Sequence, residues 1–309
     1  MTTVVERAQV SWRDWLWITW RQHRKSIIGL TVITATAFLL FGPLAYRTSR
    51  NLGGVTDTIS LYTPTALSVL VALFWAAPMI AREYEDRTVV FSWTQDVRPW
   101  QWVFGRAVPP LVIGVVLIAV LNFEQRARLD PVEFNSQLYE ANPYLHTTYV
   151  VFGFVLGLVF GAWLRQTPGA IGGTLVAFLG FRILMSTTIR PYLVAPQVGN
   201  SAYIDLFDGS RPPEAPSGAY IVDSGYIDSA TGGRASVPSL FVQECVGTDG
   251  DTLAATACFR QVGVSGHFTK YQPIEAMWKM QVLEGLIYLA AAGLLVALLR
   301  KLLDRRQRI

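Results

Sequence analysis

The chain has 309 residues, of which 51% are hydrophobic and 16% charged, with a mean hydropathy of +0.33 and a formal net charge of +4. That composition excludes a disordered chain and argues against a water-soluble domain. The positive balance raises nucleic acid as a partner, a reading that depends on where the charge lies.

Residues 1–25 form a first module. In VSWRDWLWITWRQHRK, Trp12, Trp15, Leu16, Thr19 and Trp20 fall on one helical face, with Arg13, Asp14, Arg21 and Arg24 mostly on the other. Such an amphipathic helix lies flat in a membrane interface, indoles among the headgroups and cations toward phosphates. It serves either as an anchor or as a mechanical element.

Six apolar stretches follow. Residues 26–46, 61–81 and 107–123 contain no Asp, Glu, Lys or Arg, and neither does 146–164; 167–189 holds only Arg182 and 281–299 only Glu284. A bilayer core of roughly 30 Å takes about 20 helical residues, because lipid offers backbone groups no partner. The expectation is an all-α integral membrane protein of six transmembrane helices. The first stretch starts at Ser26 with no small-residue cleavage site after it, and reads as a retained span.

Pro64 and Pro78 near the ends of the second span predict a kink. Gly153, Gly157 and Gly161 in the fourth form a double small-xxx-small repeat, which allows close helix contact either within the bundle or between protomers. The fourth and fifth spans are joined by Arg165–Gln166–Thr167–Pro168, too short for anything but antiparallel neighbours. Residues 190–280 then form an extracytoplasmic segment rich in Gly, Pro, Ser and Asp, expected to be a small cap with irregular or short β structure, with re-entrant helical pieces beside the bundle. Residues 281–309 hold the sixth span and a basic tail.

Charge sets the orientation. Fifteen of the 26 Lys and Arg fall in 1–25, 82–106, at Arg165 and in 300–309, whereas fifteen of the 22 acids fall on the opposite side. The positive-inside rule then puts both termini in the cytoplasm, in a multi-pass protein of the cell membrane. Membrane orientation accounts for the basic charge, and nucleic acid is not an expected partner.

Chemistry-bearing groups are few. Cys245 and Cys258 lie together in the cap segment, and oxidation outside the cytoplasm would close a loop of 12 residues worth about 3 kcal/mol; a metal site is the rival reading. The three histidines, His23, His146 and His267, fall at different depths, and no H-E-x-x-H, G-x-S-x-G or G-K-[ST] occurs. No metal, catalytic residue or nucleotide site is therefore expected. Arg182 and Glu284, costly in lipid, either pair with each other or snorkel to the outer interface.

Between the second and third spans, AREYEDRTVVFSWTQDVRPWQWVFGR carries Glu83, Glu85 and Asp86 before Thr88. The acids read as a helix start complementing its dipole, with Thr88 capping the next turn and Val89–Phe91 and Trp93 offering a docking face. This segment, 82–106, resembles the permease subunits of type-2 (ABC-2) exporters of the ATP-binding-cassette class, especially an actinobacterial group. Their WRQHR matches Trp20–Arg24; their A-R-E-x-E-x-G-T and A-W-T-Q match Ala81–Glu85, Thr88 and Trp93–Gln95. Their Y-Q-P matches Tyr271–Pro273, followed by Trp278, Gln281 and Glu284, and Arg182 fits an arginine late in the fifth span. Arg87 stands where the family has glycine.

The resemblance implies a half-transporter that pairs with a second copy or paralogue and recruits a cassette ATPase holding the ATP and Mg. Glu83, Glu85, Thr88, Trp93 and Gln95 would couple to that ATPase. The interfacial helix, with Trp12, Trp15, Trp20 and Arg24, would be a second contact beside membrane lipid. The cargo would be an amphipathic drug, lipid or metabolite. The alternative is a membrane sensor or assembly scaffold with a ligand-binding cap.

Overall fold

A computed structural model describes residues 65–86, 99–126, 136–201, 218–237 and 252–304, with residues 134, 215, 216 and 245 and scattered positions between 17 and 36. Five helices among the described residues are long and apolar enough to cross a membrane: Thr65–Glu85, Trp100–Phe123, Pro143–Leu164, Thr167–Tyr192 and Ile274–Asp304. They coincide with the second to sixth apolar stretches. Of the first, 26–46, the described positions are helical and exposed, and the rest lies outside the described residues.

The chain divides into two compact units. The first comprises 1–129, 140–183 and 284–309. Its helices are α1 (Thr65–Glu85), α2 (Pro99–Arg126), α4 (Pro143–Leu164), most of α5 (Thr167–Leu184) and most of α7 (Met277–Asp304). A short helix, α3 (Ser136–Glu140), precedes α4. The core draws Leu67, Val71, Trp75 and Met79 from α1 and Val150, Phe154, Leu158 and Ala162 from α4, each series stepping by four residues along one face. Val103, Ala107, Ile118 and Leu121 of α2 and Leu299 and Leu303 of α7 complete it. α1 and α4 are the inner helices, 72% buried over their apolar windows, against 22% for α5 and 28% for α7.

The expected kink near Pro78 takes the form of a π-helical turn at Ala72–Ala76, where the Ala77 N–H donates to the Ala72 carbonyl. Pro78 has no N–H and its ring crowds the carbonyl four residues back; a wider turn just before it relieves that crowding. The glycine repeat of α4 packs on this turn. A Cβ at Gly157 would stand 2.8 Å from the Ala72 oxygen and 3.0 Å from the Ala77 nitrogen, and one at Gly161 2.6 Å from the Ala77 oxygen. The repeat thus serves an intrachain contact, backbone against backbone, where lipid supplies no hydrophobic drive and van der Waals packing must do the work.

Asn142 caps α4, accepting from the Tyr144 N–H at 2.9 Å, with Pro143 in the first turn. The helix ends at Arg165, in the left-handed region at φ 58°, and α5 begins two residues later.

The second unit comprises 130–139 and 184–283. It holds a three-stranded antiparallel sheet, β1 (Gln197–Ser201), β3 (Val264–Gln272) and β2 (Tyr220–Asp228), with β3 central. The all-α expectation therefore holds for the spans, while the short β structure anticipated for the cap is a sheet. Helix α6 (Thr252–Gln261) carries Cys258, bonded to Cys245, and Cys245, Phe259 and Val264 are fully buried beneath Tyr226. Burial also raises the Tyr226 hydroxyl above the ordinary tyrosine pKa. After β2, Asp228 accepts from the backbone N–H groups of Ala230 and Thr231, each at 2.8 Å, and from the Thr231 hydroxyl. Those bonds favour the ionised form and hold its pKa below the ordinary carboxylate value.

Candidate functional site

The last turn of α1 reaches three other places in the first unit through three consecutive residues. Glu83 accepts from Arg106 of α2 at 2.7 Å, and the Arg106 guanidinium also lies over the Trp102 ring, 4.4 Å from its centre. The Tyr84 ring lies beneath the guanidinium of Arg165, in the α4–α5 turn, at 5.1 Å. Glu85 accepts from both the backbone N–H and the hydroxyl of Thr167, at 2.8 and 2.6 Å, capping the first turn of α5.

This arrangement corrects the expectation that the acids begin a helix. Glu83 and Glu85 sit at the C-terminal end of α1, and Asp86 is its C-cap. Carboxylates there oppose the helix dipole. Each is held instead by an outside partner: Arg106 supplies a full positive charge to Glu83, and α5 offers Glu85 the positive end of its own dipole. Sequence could not display this, because the partners are 23 and 82 residues away. Thr88, Trp93 and Gln95 lie outside the described residues.

At the opposite end of the same helices lies a second cluster. The Arg182 guanidinium of α5 pairs with Glu284 of α7 at 3.2 Å, donates to the Tyr149 hydroxyl at 3.0 Å and pairs with Glu140 through its other nitrogen. Tyr149 donates in turn to Glu284 at 2.7 Å, and its ring lies under the guanidinium, 4.4 Å from centre to Cζ. Glu284 is wholly buried. Of the two readings open for Arg182 and Glu284, the geometry corresponds to pairing. Buried ions need such partners, since an isolated charge in a low-dielectric interior is very costly.

Around the cluster are His146, whose Nε2 lies 3.1 Å from the Thr65 hydroxyl, and the rings of Tyr288, Phe152 and Phe181, packed with centres 4.8 to 5.4 Å apart. Sequence reading missed Glu140 and Tyr149. Glu140 stands just before the fourth apolar stretch, between the runs 107–123 and 146–164. Its signal was that an intramembrane arginine needs more than one acceptor.

Trp20 and Arg24 are helical and exposed, while Trp12 and Trp15 lie outside the described residues. Among the described residues no group of three or more His, Cys, Asp or Glu is placed to hold a metal.

A family model described as "ABC-2 membrane transporter related" matches residues 45–190. No curated protein and no solved structure matches the chain. The matched stretch contains α1, α2, α4 and α5, both sides of the Glu83–Arg106 and Glu85–Thr167 contacts, and Arg182. Over that stretch, just under half of its length, the chain is similar to ABC-2-related membrane transporters.

Proposed function

We propose that the protein is the permease subunit of an ATP-binding-cassette exporter, moving an amphipathic drug, lipid or metabolite across the cell membrane. ATP and Mg are held by a separate cassette ATPase. Two permease copies, or this chain and a paralogue, form the path, with both termini and the 82–106 segment in the cytoplasm.

The observation that carries this reading is the triple attachment of α1's last turn. The chain leaves that turn for the 87–98 segment, the candidate docking element. A displacement of the docking element would pull on Glu83, Tyr84 and Glu85 together. They would pass it to α2, to the α4–α5 turn and to α5. The π-helical turn further up α1, wedged between Gly157 and Pro78, offers a place where the inner helix can bend. ATP binding can switch the permease only through different affinities of the ATPase for its two states, so the docking element must differ between them.

The test is co-purification with candidate cassette ATPases in nanodiscs, comparing wild type with Glu85→Ala and Trp93→Ala. A stable complex that alters ATPase activity, and is weakened or uncoupled by the substitutions, supports the proposal. A folded protein that binds no cassette ATPase overturns it in favour of a sensor or scaffold.

A further inference from the structure

The second unit contains a cavity of about 470 Å³ bounded by the ends of two apolar helices. Val194 and Ala195, in its lining, follow the helix that ends at Tyr192; Ile274, Glu275 and Lys279, also in its lining, open the helix Ile274–Asp304. An exposed aromatic residue stands at each of these ends, Tyr192 and Trp278. Such residues gather where a membrane meets water. Ala195, Gln197, Glu275 and Lys279 are exposed, so the cavity opens outward through both polar and apolar groups.

Glu275 and Lys279 are the two charged residues of the lining. They stand about one helical turn apart, a spacing at which opposite charges commonly bond to each other. Here neither forms an ion pair, with the other or with any other residue. The Lys279 ammonium lies instead 5.8 Å from the centre of the Trp278 ring. The cavity therefore presents a free positive and a free negative group together. Three and four residues beyond Lys279, on the same side of α7, Val282 and Leu283 are exposed apolar side chains.

We propose that this site binds a phospholipid with an ethanolamine headgroup, its ammonium at Glu275, its phosphate at Lys279 and its acyl chains along Val282 and Leu283. The order along the helix carries the assignment: acid, base, then apolar surface, as the lipid runs from ammonium to phosphate to hydrocarbon. Side chains one turn apart are about 5–6 Å apart at Cβ, a separation that the two-carbon ethanolamine bridge can match. The lysine serves the phosphate as a point charge, and the primary ammonium donates to the carboxylate. This is a resident lipid rather than cargo. The site stands without the transport reading, because every residue it uses lies in the second unit.

Full-length protein in dodecyl maltoside is irradiated with a phosphatidylethanolamine carrying a diazirine in one acyl chain, and the labelled peptide is identified by mass spectrometry. The label should fall on the first turns of α7, around Val282 and Leu283. Unlabelled phosphatidylethanolamine should displace the probe at concentrations about fivefold lower than phosphatidylglycerol, which keeps the phosphate and lacks the ammonium; that is the ratio for one exposed ion pair. Glu275→Gln should abolish this preference, and Lys279→Gln should lower labelling about fivefold. Equal displacement of the probe from the wild-type protein by the two lipids, or labelling unchanged by both substitutions, would overturn the proposal. So would displacement by free phosphoethanolamine as effective as that by the lipid.

Discussion

Removing Arg182 should expose how much of the bundle depends on its buried ion cluster. The Arg182–Glu284 distance of 3.2 Å corresponds to about 5 kcal/mol of Coulomb attraction at an effective dielectric of about 20, before desolvation is subtracted. Desolvation offsets much of this while both ions are present. Once Arg182 is gone, the wholly buried Glu284 loses the cation it pairs with, while the Tyr149 hydroxyl still donates to it. Arg182→Leu should therefore cost about 3–5 kcal/mol; Glu284→Leu, which leaves Arg182 its Glu140 partner, should cost less, and the double substitution should cost less than their sum. The assay is reversible unfolding in mixed micelles, followed by tryptophan fluorescence, across the four proteins of the cycle. Additive effects, or a single substitution costing below about 1 kcal/mol, would mean that the two side chains reach water separately, and would refute the cluster.

Gly161→Ala forces a methyl to within 2.6 Å of the Ala77 carbonyl and should cost about 1–3 kcal/mol in the same unfolding assay. Gly172→Ala, with nothing within 4 Å, should be neutral or gain up to about 1 kcal/mol from helix propensity. Reducing the Cys245–Cys258 bond should loosen α6 and β3, read as faster amide exchange there, and leave exchange in α4 unchanged. Asp228 has a folded pKa below its unfolded one, so its contribution is fully present above the ordinary carboxylate pKa and disappears as pH falls through the lowered value. Exchange of the Ala230 and Thr231 amides should rise over that acidic window, and Asp228→Asn should flatten the rise.

The helices were legible because lipid demands long uninterrupted apolar runs, and the five described spans lie where those runs lie. Their ends were less so. The run 107–123 belongs to a helix that starts at Pro99, since helical hydrogen bonding does not stop where hydropathy falls. Glu83 and Glu85 looked like a helix start because acids usually favour that position; here charges from distant residues overrode the local dipole. The glycine repeat announced a close contact without its partner, the π-helical turn of α1. Arg182 and Glu284 stood out as charges in apolar runs, but Glu140 and Tyr149, in a short helix and among ordinary aromatic residues, did not. The strands of the cap were illegible one by one: β2 is half-buried along nearly its whole length and shows no clean alternation.

The central claim is that the end of α1 couples the membrane helices to a cassette ATPase, and a charge swap tests it directly. Glu83→Arg and Arg106→Glu would each place like charges at a contact now 2.7 Å long, and together they would restore the pair in reverse. The quantity to measure is the permease-dependent change in ATPase rate, per complex formed, in nanodiscs. The account predicts that each single substitution leaves the complex assembled but abolishes the change, and that the double substitution recovers it. Coupling that survives both single substitutions would contradict the account.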